Sequence, residues 1–394
     1  MKTKGEMKAL TPKGKFFDYS MLIIVLFLVA FGLVMVYSTS SYTATQKFGD
    51  AAYYLNKQLR ATILGLAVMV AVTFIPYHFW YKTACGIYIL SIVSVLLILI
   101  PGVGVELNGA KRWINVFGIT TIQSAEIVKL GVIISFSAFC TYEGRRLQTG
   151  FFTGIYFLLA AVAGISLLMI TRNLSSCIIV LGIAYVIYLV ALPHAGWLYI
   201  VSAVLVVLGI AMIPLLLKFA ESNPTLNFRL ERLLAWQDPE AYASGKGYQT
   251  LQSLYAIGSG GFWGKGLGSS IQKLGFIPEA QNDMIFAVVC EELGIFGGIC
   301  LIVLFILLLY RFLMIATNTE DRFGILLVSG VFAHIAIQVI LNIAVVTNTI
   351  PNTGITLPFI SYGGTSVMFL LIEMGIVLNV SINIRVRETR NEQK

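Results

Sequence analysis

Apolar runs of about twenty residues recur along the chain from Met21 to Ile384, separated by short polar stretches. A helix rises about 1.5 Å per residue, so each run can cross the hydrocarbon core of a bilayer, which is about 30 Å thick. Of the 394 residues, 58% are hydrophobic and 12% are charged, whereas roughly 25% are charged in an average soluble protein. The runs therefore exclude a soluble globule and predict an all-α polytopic membrane protein.

Ten transmembrane spans are predicted along the chain. They cover approximately residues 20–38, 58–76, 84–101, 121–141, 152–170, 173–191, 197–217, 284–310, 323–347 and 362–384. The division leaves an N-terminal segment, 1–19, a tail, 385–394, and a long loop, 218–283, between spans seven and eight. The membrane domain is then a ten-helix bundle over residues 20–384 with one large loop.

Basic residues outside the spans predict the orientation. With the N-terminus inside, its five lysines and nine other basic residues lie in inner segments, against six in the short outer loops. Cytoplasmic loops carry this excess of Lys and Arg. Both termini are predicted to be cytoplasmic, the loop 218–283 extracellular, and the protein resident in the cytoplasmic (inner) membrane. The net charge of +8 is attributed to the basic residues that orient the protein in the membrane, so no nucleic-acid partner is expected.

The long loop contains two features of its own. Leu226, Leu230, Leu233 and Leu234 have helical spacing, so residues 226–236 are predicted to form an amphipathic helix. It could lie on the membrane or cap the bundle, or it could handle a substrate. The glycine-rich stretch 258–268 lacks the G-x-x-x-x-G-K-[ST] pattern of a phosphate-binding loop. Tight turns near a site explain it better.

Ionisable groups inside a bilayer are costly and mark candidate sites. Glu126 and Lys129 are three residues apart in predicted span four, on one helical face. They could simply neutralise each other, but the predicted topology puts both in the outer half of the span. Other charges from separate parts of the chain are expected at the same level. They are Arg60, Lys111, Arg112, Glu279 and Asp283.

Such a cluster suits a lipid diphosphate processed outside the cell. Cations bind phosphate oxygens, a partly desolvated carboxylate can act as a general base, and apolar helix surfaces can take a lipid chain. The cluster does not by itself name the reaction. Glu291, Glu292 and Glu373 are expected to form structural pairs or helix-end contacts. The histidines show no catalytic or metal-binding spacing, and no metal site is predicted.

Three long motifs resemble one known family. They are NGAKRWINVFGITTIQSAEIVKL at 108–130, GYQTLQSLYAIGSGGFWGKGLGSSIQKLGFIPEAQNDMIFAVVCEELG at 247–294, and LPFISYGGTSVMFLLIEMGIVLNV at 357–380. The chain resembles the shape, elongation, division and sporulation (SEDS) family, whose members include FtsW, RodA and SpoVE, from the first span through Arg387. The S-T-S-S-Y stretch after span one and the K-Q-L-R sequence at the start of span two are more similar to the FtsW and SpoVE branch.

The resemblance implies a fold, an activity and partners. The family fold is a ten-helix bundle with a large extracellular loop between helices seven and eight. The activity is peptidoglycan glycosyltransfer, in which lipid II is polymerised into glycan strands for cell division or sporulation. The implied partners are a class B penicillin-binding protein, which crosslinks the strands, and other divisome or elongasome membrane proteins.

The resemblance also implies site residues. Asp283 matches the catalytic aspartate of the P-E-x-x-x-D stretch, Glu126 and Lys129 match two cavity residues, and Arg60 is the candidate basic residue at span two. The remaining substrate-binding candidates are Lys111, Arg112, Glu279, Ser361, Gly363 and Gly364.

Two departures from the family pattern stand out. The chain reads QSAE at 123–126 where the family has QPSE, and residues 171–176 read TRNLSS where Q-P-D-L-G-T is common. The second departure bears on the subfamily more than on the activity, because the matched site residues are intact.

The resulting hypothesis makes Asp283 the base that deprotonates the acceptor hydroxyl, in one displacement with inversion. Lys129, Arg60 and Arg112, with an optional divalent cation such as Mg²⁺ or Mn²⁺, would stabilise the departing diphosphate, and Glu126 would position Lys129 or the cation. No other cofactor is expected. The rival hypotheses are a lipid II flippase and a scaffold that only recruits the penicillin-binding protein.

Overall fold

Twelve α-helices and three short strands make up the described parts of the chain. The computed structural model describes residues 17–107, 110–116, 120–148, 150–192, 196–221, 228–245 and 247–384. The helices are α1 (Tyr19–Phe48), α2 (Tyr53–Phe74), α3 (His78–Leu97), α4 (Ser124–Glu143), α5 (Gly150–Ile170), α6 (Leu174–Ala191), α7 (Gly196–Glu221), α8 (Phe228–Gln237), α9 (Tyr248–Gly260), α10 (Ile285–Asn318), α11 (Arg322–Val346) and α12 (Gly364–Ile382). A 3₁₀ turn, Gly144–Gln148, follows α4.

Nine helices in the described parts of the chain are long and apolar enough to cross a membrane. They correspond to nine of the predicted spans and make this a multi-pass membrane protein. The predicted seventh span coincides with α7, a helix that contains Pro214 and is not among the nine. The fold class is confirmed, while the count of ten spans stays a prediction. The N-terminal residues 1–16 and the tail 385–394 lie outside the described residues.

A small antiparallel sheet precedes α4, and the sequence reasoning did not anticipate it. Its strands are β1 (Gly104–Leu107), β2 (Ala110–Val116) and β3 (Thr120–Gln123), with β2 in the middle. Trp113 is paired with Gln123 across β2 and β3. The predicted start of span four at residue 121 is therefore wrong, because residues 120–123 form a strand and the helix begins at Ser124.

Three helices form the centre of the bundle. In the apolar stretch of each helix, 72% of the residues of α4 and 67% of those of α11 and α12 are buried. The corresponding share is 22% for α3 and 28% for α5 and α10. Polar side chains on α4, α11 and α12 are therefore enclosed by protein and must find partners there. The charged residues of the candidate site lie on or beside these helices.

The long segment between α7 and α10 is folded. The predicted amphipathic helix is confirmed as α8, and its Trp236 indole N–H donates to the carbonyl of Asn348 at 3.0 Å, just after α11. The start at residue 226 lies outside the described residues.

The glycine-rich stretch binds the backbone of α10 where that helix is kinked. Gly294 has φ +72° inside α10, and a kink leaves helical carbonyls without their usual donors. Lys265 and Gly266 donate backbone N–H groups to the carbonyls of Glu291 and Glu292 at 3.0 and 2.9 Å. Gly264 has φ +79°, and a Cβ there would lie 2.2 Å from the Glu292 carbonyl oxygen. The expected tight turns are present, and their glycines allow this close approach.

Candidate functional site

Asp283 lies at the junction of the long segment and α10, one residue before the helix N-cap Met284. The side-chain amide of Gln249, on α9, donates to Asp283 Oδ1 at 3.2 Å. The amide of Asn342, on α11, donates to the Asp283 backbone carbonyl at 2.8 Å. Half-buried Asp283 is thus fixed by two helices that are distant in sequence, one through its carboxyl group and one through its backbone.

The surroundings of Asp283 suit a base. Burial raises its pKa from 3.8 to about 6, and Glu279 adds to the rise, while backbone hydrogen bonding, Arg232 and Gln249 oppose it. The carboxyl group is therefore ionised at neutral pH, but it holds a proton more strongly than an ordinary aspartate. A general base works best when its pKa lies near the working pH.

Two arginines form the cationic part of this region. Arg112, on β2, donates to the carbonyl oxygens of Thr171 and Arg172 at 3.3 and 3.4 Å. Its pKa is lowered by burial and by the charge of Arg232. Arg232, on α8, donates to the carbonyl of Asn352 at 3.2 Å. Its pKa is lowered by burial, and the charge of Asp283 opposes the shift.

Arg232 was missed by sequence reasoning. The helical pattern of residues 226–236 assigned it only to a non-leucine position of an amphipathic helix. Its signal was a cation in the long segment that leads to Asp283, but nothing in the sequence shows that α8 folds back toward Asp283.

Glu126 and Lys129 form a buried ion pair in the first turns of α4, with 2.8 Å between Oε1 and Nζ. Lys129 also donates to Gln338 Oε1 on α11, at 3.4 Å. The second carboxylate oxygen of Glu126 is buried without a hydrogen-bond partner among the described residues. The two charges neutralise each other, as one reading proposed, but one buried acceptor oxygen of the pair is left without a partner in the described parts of the chain.

One face of α11 connects this ion pair with Asp283. Gln338 and Asn342 are four residues apart, or about 6 Å along the helix axis. Gln338 donates to the Thr356 carbonyl at 3.0 Å, and Asn342 donates to the Ile355 carbonyl at 2.7 Å. The extended segment before α12 is thus held against the face of α11 that also contacts Lys129 and Asp283.

The third motif forms a turn near Asp283. Ser361 Oγ accepts the backbone N–H of Leu357 at 2.8 Å, and the N–H of Tyr362 reaches the Gln281 carbonyl at 2.8 Å. Gly363 donates its N–H to Gln58 Oε1 at 3.1 Å. A Cβ on Gly364 would lie 3.0 Å from the Ala61 Cβ on α2. These contacts are with protein groups, so the turn fixes the chain segment that carries Asp283.

The remaining candidates lie at the surface of the described structure. Arg60 is exposed on α2 and makes no ion pair or hydrogen bond with a described residue. Lys111 is exposed on β2, in register with Glu106. Glu279 is exposed, has φ +50° and accepts a hydrogen bond from Asn282 at 2.8 Å. Of these three, Glu279 lies close enough to Asp283 to raise its pKa, whereas the Glu126–Lys129 pair is linked to Asp283 indirectly, through Gln338 and Asn342 of α11.

The other intramembrane glutamates are paired, as expected. Glu291 is 2.8 Å from Lys265, Glu292 is 2.7 Å from Lys273, and Glu373 is 2.9 Å from the His334 ring. Within the described ranges, no group of three or more His, Cys, Asp or Glu side chains could hold a metal ion. A divalent cation would therefore take most of its ligands from phosphate oxygens and water, as Mg²⁺ commonly does.

Comparison with known proteins places the chain in a family. A family model described as "Cell cycle protein", FTSW_RODA_SPOVE, matches residues 19–386. The chain belongs to the FtsW/RodA/SpoVE family. Stage V sporulation protein E of Bacillus subtilis is 36% identical over 92% of this chain and 96% of its own length. A probable peptidoglycan glycosyltransferase FtsW of Trichlorobacter lovleyi is 35% identical, with 94% of each chain covered.

Solved structures show the same fold. A chain from "Structural coordination of polymerization and crosslinking by a peptidoglycan synthase complex" superposes with a TM-score of 0.73 at 26% identity, covering 93% of this chain and 97% of the other. RodA of Thermus thermophilus gives a TM-score of 0.66 at 25% identity, covering 94% and 98%.

The two departures from the FtsW/RodA/SpoVE pattern have structural substitutes. Asn173 Oδ1 caps α6 by accepting the N–H of Ser176 at 3.0 Å, and asparagine and aspartate are about equally good in this role. Ser124 and Ala125 occupy the first turn of α4, where the backbone N–H groups need no helical partner, so a proline there is optional. The helix that carries Glu126 and Lys129 starts normally without it.

Proposed function

We propose that this protein is a peptidoglycan glycosyltransferase that polymerises lipid II into glycan strands. The observation that carries the proposal is Asp283: a half-buried carboxylate, with a pKa raised to about 6, beside cations and at the end of a membrane helix. Membership of the FtsW/RodA/SpoVE family and the names of the FtsW relatives support it.

The step is one displacement. Asp283 accepts the proton of the acceptor sugar hydroxyl while that oxygen bonds to the anomeric carbon of the donor. The bond from the anomeric carbon to the diphosphate breaks, and the lipid diphosphate leaves with the electron pair. An α-linked donor gives a β-linked product by this inversion, so no second carboxylate and no covalent intermediate are required.

Cations stabilise the leaving group. Lys129 is buried beside Glu126, Arg232 carries charge near Asp283, and Arg112 carries charge near Arg232. Fixed positive charge in a site of low dielectric constant stabilises a developing phosphate charge strongly. Arg60 and Lys111, at the surface, would meet the incoming diphosphate first. A Mg²⁺ or Mn²⁺ ion bound to the phosphates would share this task, with Glu126 as its candidate protein ligand.

The proposed location is the cytoplasmic membrane, with both termini in the cytoplasm and the segment carrying α8 and α9 outside. The excess of basic residues in the predicted inner segments supports this orientation. The reaction then takes place at the outer face. A class B penicillin-binding protein is the proposed partner, since a similar chain belongs to a complex described as coordinating polymerisation and crosslinking.

A lipid II flippase would need polar groups along its whole path. On α11 the polar face ends at His334, and the continuing positions Val331, Leu327 and Phe323 are buried and apolar. On the face of α11 that carries Asn342, Gln338 and His334, the polar side chains thus stop near the middle of the helix, which favours the polymerase.

The test uses purified protein in two assays, with and without a class B penicillin-binding protein. One assay measures glycan strands formed from lipid II in detergent, and the other measures movement of labelled lipid II across sealed vesicles. Strands without accelerated movement are expected. Movement of lipid II without strand formation would replace the polymerase hypothesis with the flippase hypothesis. If neither activity is found, the scaffold hypothesis remains.

A further inference from the structure

A polar cavity of about 210 Å³ lies between α8, α9 and the segment before α12. Its lining residues include Arg232, Trp236, Tyr248, Gln249, Pro278 and Asn352. Ligand pockets for drug-sized molecules measure about 300–1,000 Å³, so this cavity suits one ring and not a whole lipid-linked disaccharide.

Gln249 joins the cavity to the catalytic carboxylate. Its amide nitrogen donates to Asp283 Oδ1 at 3.2 Å and to the Pro278 carbonyl at 3.3 Å. Its amide oxygen accepts a hydrogen bond from Asn352 at 3.0 Å. One side chain therefore lines the cavity and touches Asp283, so the cavity and the base are one side chain apart.

The lining suits an uncharged polar ring. Trp236 and Tyr248 offer aromatic surface, while the amide oxygens of Gln249 and Asn352, each accepting one protein hydrogen bond, have a second lone pair for a hydroxyl group. None of the lining residues is a carboxylate or a lysine. The C–H faces of a sugar pack on aromatic rings, and its hydroxyl groups bond to amides. The one cation, Arg232, already donates to the Asn352 carbonyl at 3.2 Å.

Asp283 thus lies between two chemically different regions. Beyond the segment around Ile355 and Thr356 is the buried Glu126–Lys129 pair, whose lysine ammonium group suits a diphosphate oxygen. On its other side is the cavity, which is rich in amide and aromatic groups. A displacement at Asp283 needs a leaving diphosphate on one side and an attacking sugar hydroxyl on the other.

We propose that this cavity binds the acceptor sugar, the uncharged terminal ring whose hydroxyl gives its proton to Asp283. The assignment rests on the proposed glycosyltransferase function. Trp236 supplies the surface on which the ring packs, and Gln249 positions both the ring and the carboxylate. The lipid diphosphate of the donor lies on the Lys129 side.

The test separates the two substrates. A lipid II analogue with hydrogen in place of the attacking hydroxyl can act only as donor. An analogue with a carbon–phosphorus bond at the anomeric centre can act only as acceptor. Coupling of the two is measured with the purified full-length protein, varying one analogue at saturating concentration of the other.

Three variants are compared with the wild type. Trp236→Leu removes the aromatic surface, and the acceptor KM is expected to rise about tenfold, equivalent to about 1.4 kcal/mol, while the donor KM stays within about twofold. Trp236→Phe keeps a ring but loses the indole N–H bond to Asn348, and its acceptor KM is expected near that of the wild type. Trp263→Leu alters an exposed tryptophan of the same segment and should change neither value.

Each other outcome overturns a defined part of the account. A rise in the donor KM of Trp236→Leu would overturn the assignment. Equal acceptor KM values for Trp236→Leu and Trp236→Phe would also overturn it, because they would show that Trp236 acts through its hydrogen bond to Asn348. If Trp236→Leu couples the two analogues with an unchanged acceptor KM, the assignment of the cavity is overturned, but the proposed glycosyltransferase function is not. No coupling by the wild-type protein would overturn the proposed function and the assignment together.

Discussion

Asn342 donates a hydrogen bond from its side-chain amide to the backbone carbonyl of Asp283, at 2.8 Å. The same nitrogen donates to the carbonyl of Ile355 at 2.7 Å. Asn342 is fully buried on α11, one of the central helices, so the candidate base is attached to the most enclosed part of the bundle. The position of Asp283 depends on a residue that does not face the substrate.

Removing this attachment should impair catalysis. Asn342→Leu keeps the size of the side chain and leaves two carbonyls without their donor. Displacing a catalytic base by about 1 Å can lower the rate about 100-fold. The kcat for strand formation should therefore fall by about 10- to 100-fold, with a smaller change in KM. Asn318→Leu, at the exposed far end of α10, is the matched control. Equal kcat for Asn342→Leu and the wild type would show that the attachment is dispensable.

The activity should depend on the ionisation of Asp283. Because burial raises its pKa to about 6, the base is present above that pH and is lost as the pH falls through it. The rate should then drop by about tenfold per pH unit below about 6. Initial rates of coupling from pH 4.5 to 8.5 test this. A flat profile down to pH 5 would contradict the role of Asp283 as base.

The raised pKa of Asp283 also affects stability: low pH should favour the folded state at this group, although it lowers the activity. The folded state holds the Asp283 proton more tightly than the unfolded chain does, so this group favours the fold at low pH and loses that contribution as the pH rises from about 3.8 to about 6. Asp283→Asn, which is neutral throughout, should be at least as stable as the wild type at pH 7.5. Thermal unfolding in detergent checks this, and a marked loss of stability would show that the carboxylate has a structural task.

The buried ion pair should separate stability from activity. Lys129→Met leaves the Glu126 carboxylate buried without its partner, which typically costs about 3–5 kcal/mol. The double variant Lys129→Met with Glu126→Gln removes both charges and should regain most of the stability while remaining inactive. Lys47→Met, at an exposed position at the end of α1, is the control. An active double variant would mean that the pair only supports the fold.

Two glycines of the long segment offer a matched comparison. Gly264 and Gly268 have similar positive φ values, +79° and +81°, but only Gly264 lies against the α10 backbone, while nothing lies within 4 Å of a Cβ on Gly268. Gly268→Ala should cost only the backbone strain of about 1–2 kcal/mol. Gly264→Ala should cost clearly more, because its methyl group would overlap the Glu292 carbonyl. Equal unfolding temperatures for the two variants would contradict the described docking of the loop on the kinked helix.

Much of the fold follows from the sequence because few backbone structures are stable inside a lipid bilayer. Apolar runs long enough to span a bilayer must be helical, and α8 has an apolar face with helical spacing. The small sheet before α4 was not foreseen, since β2, with its Lys111 and Arg112, reads simply as a charged loop between two spans. The kink at Gly294 depends on the segment around Gly264 folding back onto α10, which no local pattern reveals.

The site could be predicted only in part, for a similar reason. Glu126, Lys129 and Asp283 stand out because charge is costly in or near a membrane. Arg232, Gln249 and Asn342 do not, since an arginine on a surface helix or an amide in a helix has many ordinary uses. Their importance comes from contacts between segments far apart in the chain, 34 residues for Gln249 and 59 for Asn342 relative to Asp283.

The central claim is that Asp283 removes the proton from the acceptor hydroxyl. Its most direct test is the single-turnover rate of glycan-bond formation from lipid II by purified wild type, Asp283→Asn and the control Asp238→Asn, an exposed aspartate of the same long segment. The account predicts that Asp283→Asn folds and binds lipid II but forms strands at least about 100-fold more slowly, while Asp238→Asn matches the wild type. Normal strand formation by folded Asp283→Asn would contradict it.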